Sequence, residues 1–130
     1  PEKVLKMGLF HDIGETIVGD VGTFVKGMAG GVFKNIEEEG VKALVDGLDS
    51  KTEIIGLIEE YNERKSVEAR LVKASDNLDA LAQAKSVPGA QSALKYFKKV
   101  YHITKFDWHK KAVDMILSGD IEPGRDWQKK

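Results

Sequence analysis

Residues 3–20 read KVLKMGLFHDIGETIVGD, and this stretch decides the fold class. Its apolar side chains recur at steps of three and four residues, which is the spacing of an amphipathic helix. The pattern predicts a first helix that ends near Gly19, because glycine commonly closes helices. The apolar positions that carry it are Val4, Leu5, Leu9, Ile13 and Ile17.

Helical spacing continues along the rest of the chain, and no alternating strand pattern persists over five positions. We therefore predict an all-α protein, a single-domain helical bundle of about six helices. Ser50 and Glu53 have capping-box spacing, and Ser66 is expected to cap a helix that runs to about Lys85. Five of the 13 glycines lie in residues 19–31, which predicts a flexible loop, either a lid over a site or a plain connector.

Composition limits the function classes. A chain of 130 residues with 42% hydrophobic and 32% charged residues is typical of one folded domain. The absence of cysteine excludes disulfide scaffolds, thiolate metal sites and cysteine nucleophiles. No apolar run approaches the ~20 residues that span a membrane, and no signal-peptide pattern opens the chain.

Charge is unevenly distributed along the chain. The net charge is −1, which argues against nucleic acid as a partner. Residues 1–84 carry a net −6 and residues 85–130 a net +5. The acidic part is where carboxylate metal ligands are expected, and the basic part is interpreted as solvated helix faces.

The segment His11–Asp20 holds the residues with the clearest chemistry. His11 and Asp12 are neighbours about 100° apart on a helix, so imidazole and carboxylate could straddle one ion. Glu15 lies one turn further on, beside the same position, and Asp20 follows the end of the helix. A solvated polar face is the alternative interpretation of the His-Asp pair taken alone.

A second cluster lies in a later helix. Lys73, Asp76 and Asp79 are spaced three residues apart on one helical stripe that apolar residues flank. Asp76 is therefore a candidate metal ligand. The alternative is a surface ion pair with Lys73, which is worth only a few tenths of a kcal/mol.

Together these motifs carry a family resemblance. The His-Asp pair, the glutamate three residues later, the aspartate eight residues later and the helix EARLVKASDNLDAL from residue 68 resemble the HD-domain metal-dependent phosphohydrolases. Within that superfamily the chain looks most similar to the 5′-deoxynucleotidase branch. The resemblance implies an all-helical, homodimeric, cytoplasmic enzyme that hydrolyses deoxynucleoside 5′-monophosphates to nucleoside and phosphate.

The resemblance also assigns roles to residues. His11, Asp12 and Asp76 match the family's ligands for one divalent ion, whether Mn, Co, Mg, Zn or Fe. Glu15 and Asp20 match its catalytic acidic pair. Lys73 and Asp79 lie beside the ligand position and are weak candidates for substrate binding.

The chain departs from the family pattern at its start. That pattern opens with a further histidine some thirty residues before the His-Asp pair, whereas only ten residues precede His11 here. We therefore expect a piece of a longer protein that lacks the N-terminal helix, and neither His102 nor His109 has the right place to substitute. Two alternatives stay open: a regulatory metal- or nucleotide-binding module without turnover, and an HD phosphodiesterase.

Overall fold

The structure, a computed structural model, describes residues 1–120, with all their side chains except those of residues 23, 24, 90–93 and 95. It confirms the all-α prediction, since the described residues contain helices and no strand. The chain divides into two compact units, unit 1 from Pro1 to Glu63 and unit 2 from Arg64 onward. In chain order the elements are α1 Glu2–Phe10, α2 Glu15–Val18, α3 Thr23–Met28, α4 Val32–Leu44, α5 Lys51–Glu63, α6 Val67–Ser86, a 3₁₀ segment Ala90–Val100, α7 Tyr101–Thr104 and α8 Asp107–Ser118. None of these helices is long and apolar enough to cross a membrane.

The predicted first helix is interrupted at the His-Asp pair. After Phe10 the backbone hydrogen bonds span three residues instead of four, as in the 2.9 Å bond from Glu15 N to Asp12 O. Such bonds tighten the chain to three residues per turn. The α-helical hydrogen bonding of α1 therefore does not continue into α2. The prediction of one continuous helix is wrong because apolar spacing of three and four residues fits both kinds of turn.

Residues 19–31 are partly helical rather than a loop throughout. Helix α3 occupies Thr23–Met28, and the flanking glycines Gly19, Gly30 and Gly31 have positive φ angles of 77°, 57° and 93°. Gly27 is the one glycine inside α3, and a single interior glycine costs only about 1 kcal/mol. The loop prediction is therefore wrong for residues 23–28, and the flexibility of the segment stays a prediction.

The core of unit 1 lies between α4 and α5. It is built from Val41 and Val45 of α4 and from Ile54 and Ile58 of α5. Phe10 and Ile13 pack against this cluster from either side of His11, so burial of their side chains anchors the turn that carries the His-Asp pair.

Helix α2 approaches α4 closely, and two glycines make this approach feasible. A Cβ atom on Gly14 would lie 3.2 Å from Cβ of Glu37. A Cβ atom on Gly40 would lie 2.7 Å from Cγ1 of Ile17 and 3.1 Å from its Cβ. The second distance involves a branch point that cannot swing away, so α2 depends on a glycine at position 40.

Unit 2 is organised around the long helix α6. As predicted, Ser66 caps this helix, with Oγ accepting a hydrogen bond from the Ala69 N–H at 3.1 Å. The helix ends one residue beyond the predicted Lys85, at Ser86. Its inner face packs on α8 through an apolar cluster of Leu81, Val113 and Ile116, which Leu78, Leu94, Phe97, Tyr101 and Leu117 border.

Three buried polar side chains join α6, α7 and α8. His109 Nε2 donates to Asn77 Oδ1 at 2.9 Å, and His109 Nδ1 accepts from the Thr104 hydroxyl at 2.8 Å. Burial lowers the pKa of His109, because the charged imidazolium would lose its hydration. This histidine is therefore a structural, neutral side chain of unit 2.

We expect Gly40→Ala to destabilise the protein by about 1–3 kcal/mol, because the new methyl group collides with Ile17. Gly56→Ala is the matched control, since no atom lies within 4 Å of a Cβ atom there and the residue is inside α5. That control should stabilise by about 0.5–1 kcal/mol through helix propensity alone. Urea unfolding of both variants measures the difference in the free energy of unfolding. An equal increase in both variants would contradict the close approach of α2 to α4 at Gly40.

The free energy of unfolding is expected to fall as the pH drops below about 6.5, the ordinary pKa of histidine. Below that pH the unfolded chain binds a proton at position 109 that the folded chain resists, so protonation favours unfolding. The slope should reach at most about 1.4 kcal/mol per pH unit for this one group. Chemical unfolding between pH 7.5 and 5.5 measures it. His109→Gln should reduce the slope of unfolding free energy against pH, and the control His102→Gln, at an exposed site, should reduce it less. An unchanged slope in His109→Gln would refute the assignment of this pH dependence to His109.

Candidate metal centre

His11 lies at the end of α1 with a fixed ring orientation. Its backbone N–H continues the helix by donating to Met7 O at 2.9 Å, and its ring Nδ1–H donates to Gly8 O at 2.8 Å. The ring also contacts Tyr61 edge-on, with centroids 4.8 Å apart. Because Nδ1 carries the proton in this hydrogen bond, the lone pair of a neutral ring lies on Nε2.

The free nitrogen of His11 faces a carboxylate. His11 Nε2 lies 3.0 Å from Asp12 Oδ2, yet it is buried and has no hydrogen-bond partner. Two acceptor atoms at this separation repel unless a proton or a cation lies between them. One imidazole nitrogen and one carboxylate oxygen are suitable ligands for a divalent ion, so the residues present fit a metal.

Glu15 begins α2 next to this pair and is about one-third exposed. Burial raises the pKa of the Glu15 carboxyl, and the negative charges of Asp12 and Asp20 raise it further. Lys26 acts in the opposite direction, with Nζ 3.5 Å from Glu15 Oε1. Asp20 is exposed, directly after the positive-φ Gly19. The negative charge of Asp20 therefore acts on the carboxyl of Glu15.

Lys26 is the residue that sequence reasoning missed. It lies on α3, in the segment predicted as a loop, and bridges two acidic residues: Nζ is 2.8 Å from Glu37 Oε1 in addition to its contact with Glu15. Nothing in the local sequence pairs Lys26 with residues 11 positions away in opposite directions. Only the packing of α2 against α4 brings the two carboxylates to the same ammonium group.

The predicted residues of α6 have different environments. Asp76 Oδ2 accepts from Lys73 Nζ at 2.6 Å, and the Asp76 side chain is 30% exposed. Asp79 is exposed and accepts from Gln83 Nε2 at 2.7 Å, so it does not share Lys73. The ion pair considered as an alternative for Asp76 is therefore present within unit 2, and it leaves the second carboxylate oxygen, Oδ1, outside that contact.

Unit 1 offers a metal ion one imidazole nitrogen and one carboxylate oxygen, from His11 and Asp12, and unit 2 carries the carboxylate of Asp76. His109 cannot add a further ligand, because both of its ring nitrogens are engaged in the buried network of unit 2. His102 is exposed on α7. His11 and Asp12 are therefore the candidate metal ligands that unit 1 brings together.

Comparison with known families matches residues 1–116 to the HD domain. This match covers most of the chain, and the protein belongs to the HD domain family. HD domains bind divalent metal ions, which agrees with the His11–Asp12 pair described above. The family expectation drawn from the motifs is confirmed, and the protein is a member of a hydrolase family.

Three curated relatives carry the name 5′-deoxynucleotidase HDDC2. The Danio rerio protein is 35% identical over 85 residues, which is 64% of this chain and 42% of the relative. The Dictyostelium discoideum protein is 33% identical over 63% of this chain and 44% of the relative. The Xenopus laevis protein is 30% identical over 64% of this chain and 42% of the relative. The matched region spans less than half the length of these relatives. No solved structure matches the chain.

Replacing Lys26 by Gln is expected to raise the pKa of Glu15, because it removes the positive charge that opposes burial and the two aspartates. Carboxyl-carbon NMR titration of the metal-free protein, with ¹³C-labelled glutamate, measures the shift. Lys26→Arg keeps the positive charge and should leave the pKa of Glu15 largely unchanged. Identical Glu15 titrations in Lys26→Gln and the unmodified protein would contradict the contact.

Proposed function

We propose that this protein is a metal-dependent phosphohydrolase that cleaves deoxynucleoside 5′-monophosphates to nucleoside and phosphate. One observation carries the proposal: the buried His11 Nε2 has no hydrogen-bond partner and lies 3.0 Å from Asp12 Oδ2, an arrangement that a cation would stabilise. The names of the curated relatives support the substrate class.

His11, Asp12 and Asp76 are the proposed ligands of one divalent ion, with Mn, Co, Mg, Zn and Fe all compatible with this donor set. Such an ion would polarise a phosphoryl oxygen and lower the pKa of a bound water, which makes hydrolysis feasible near neutral pH. The Nδ1–H bond to Gly8 O keeps the His11 ring in the tautomer that a ligand needs. Lys73 Nζ contacts only Oδ2 of Asp76 in its ion pair, at 2.6 Å, so Oδ1 is the oxygen proposed for the metal ion.

Glu15 is the proposed general base. A carboxylate accepts a proton best when its pKa lies near the working pH, and burial moves the pKa of Glu15 in that direction. Lys26 opposes this rise in the pKa, and in its ionised form Glu15 would accept the proton of the attacking water. The Glu15→Gln variant should then keep the size and shape of the side chain and lose turnover.

Asp20 is the proposed partner of Glu15 in catalysis. Its carboxyl is exposed, so it would reach the leaving 5′-oxygen to supply a proton or hold the deoxyribose. Lys73 and Asp79 remain candidates for substrate binding, Lys73 through the phosphate and Asp79 through a polar group of the nucleoside.

The activity test measures phosphate release from a panel of deoxynucleoside and ribonucleoside 5′-monophosphates. The full-length gene product is stripped of metal and re-supplied with Mn, Co, Mg, Zn or Fe. We expect metal-dependent release that Asp76→Ala abolishes and that Glu15→Gln lowers about 10²–10⁴-fold in kcat. Asp49→Ala is the control, because this exposed aspartate lies between α4 and α5 and outside the proposed centre.

Three results would redirect the proposal. A protein that binds the ion and releases no phosphate with any metal would be a regulatory HD module. Turnover of bis-p-nitrophenyl phosphate, with none of the monoester, would indicate a phosphodiesterase. Undiminished turnover in Glu15→Gln would remove Glu15 from the chemistry.

We also propose a homodimer in the cytoplasm, on the basis of the family resemblance. Light scattering of the sample used for the assay is expected to give twice the mass of one chain. A monomer at micromolar concentration would overturn the dimer, and recovery of the protein in a membrane or secreted fraction would overturn the location.

A further inference from the structure

The proposed reaction brings an anionic substrate to an acidic part of unit 1. The carboxylates of Asp12, Glu15 and Asp20 belong to this part, and the charges of both aspartates act on Glu15. A phosphate monoester carries about two negative charges near neutral pH. One divalent ion would offset only part of the charge of three carboxylates, so the phosphate group would be repelled unless a further positive charge lies nearby.

Lys26 provides a positive charge directly beside the proposed base. Its Nζ lies 3.5 Å from Glu15 Oε1 and 2.8 Å from Glu37 Oε1. The hydrogen bond to Glu37 raises the pKa of Lys26, and the charges of Glu37 and Glu15 raise it further, so this side chain is an ammonium group at neutral pH. Glu37 lies on α4 and therefore anchors the ammonium group to a helix that contributes to the core of unit 1.

The ammonium group of Lys26 has one more donor than it uses. An ammonium group carries three N–H donors. In the part of the chain that the structure describes, Lys26 Nζ contacts the carboxylates of Glu37 and Glu15, and the contact with Glu15 is longer than an ordinary hydrogen bond. The side chains of Lys26 and Glu15 are 32% and 31% exposed, so a ligand in solution can reach them. A third N–H is therefore available to a phosphate oxygen while the contact with Glu37 is kept.

We infer that Lys26 binds the phosphate group of the substrate, an inference that rests on the proposed function. The attacking water would lie between the Glu15 carboxylate and the phosphorus atom, which brings the phosphoryl oxygens close to an ammonium group in contact with Glu15. Lysine is a frequent phosphate ligand, and a hydrogen bond between an ammonium group and a phosphate oxygen is among the stronger ones in proteins. Lys73, the candidate from the sequence, belongs to unit 2, where its Nζ is 2.6 Å from Asp76 Oδ2.

Calorimetric titration with the two products of the proposed reaction tests this inference. The full-length gene product, supplied with Mg²⁺, is titrated with orthophosphate and, separately, with a deoxynucleoside. Because neither product is turned over, the measurement does not depend on whether the protein hydrolyses monoesters. Lys26→Gln is expected to weaken orthophosphate binding about three- to tenfold and to leave deoxynucleoside binding unchanged, since only the phosphate contacts the ammonium group.

Two control variants separate this contact from other effects of charge. Lys26→Arg keeps the positive charge and should keep the orthophosphate affinity within about twofold of the unmodified protein. Lys42→Gln removes an exposed lysine of unit 1 that is ion-paired with Glu39 at 2.7 Å, and it too should stay within about twofold because salt screens exposed charges. An indirect effect through Glu15 has the opposite sign: the loss of Lys26 favours the uncharged carboxyl of Glu15, which repels phosphate less.

Four results would overturn the inference. The first is orthophosphate that binds equally to Lys26→Gln and the unmodified protein, or to neither at millimolar concentration. The second is an equal loss of affinity in Lys26→Gln and Lys42→Gln, which would show a response to the general charge. The third is an equal loss of orthophosphate and deoxynucleoside affinity in Lys26→Gln, which would show damage to the fold. The fourth is a loss confined to Lys73→Gln, which would assign the phosphate to Lys73.

The inference and the proposed function fail separately. If the protein releases phosphate from monoesters and Lys26→Gln binds orthophosphate normally, the inference alone is overturned. If no monoester is hydrolysed and Lys26→Gln still loses affinity for orthophosphate, Lys26 remains a phosphate-binding residue and the proposed reaction is overturned.

Discussion

The hydrogen bond from His11 Nδ1 to Gly8 O is the interaction on which the candidate centre depends. It uses the one proton of a neutral imidazole inside the helix and leaves the Nε2 lone pair facing Asp12. In the neutral form of the ring, two adjacent residues thereby present acceptor atoms 3.0 Å apart, which a proton or a cation would stabilise. Such a pair has a simple physical explanation as a cation site, and a poor one as a structural feature of a helix end.

The tight turn after Phe10 is what brings these acceptors together with Glu15. It exists because Phe10 and Ile13 are anchored in the core of unit 1, and because glycines at positions 14 and 40 let α2 lie close to α4. The same close packing places Glu37 next to Lys26, which also contacts Glu15. Apolar burial therefore sets the electrostatic environment of the proposed base.

Helix α6 is held in a different way. Asn77 is buried and bonded to His109, whereas its neighbour Asp76 is part-exposed and paired with Lys73. The buried hydrogen bond fixes the rotation of α6 about its axis within unit 2. If the helix turned, His109 Nε2 would lose its hydrogen bond to Asn77. The direction in which Asp76 presents its carboxylate thus follows from the polar contact of the next residue, about 100° further round the helix.

The sequence by itself determined the all-α class, the Ser66 cap, the extent of α6 and membership of the HD family, because helical periodicity, capping residues and motif spacing are local properties of the chain. It placed His11, Asp12, Glu15, Asp20 and Asp76 as candidates on the same grounds. Only the tertiary structure decided the break in the first helix and the charge environment of Glu15. These features depend on contacts between residues distant in the chain, such as Gly40 with Ile17 and Lys26 with Glu37. No local pattern encodes which distant side chains packing will bring together.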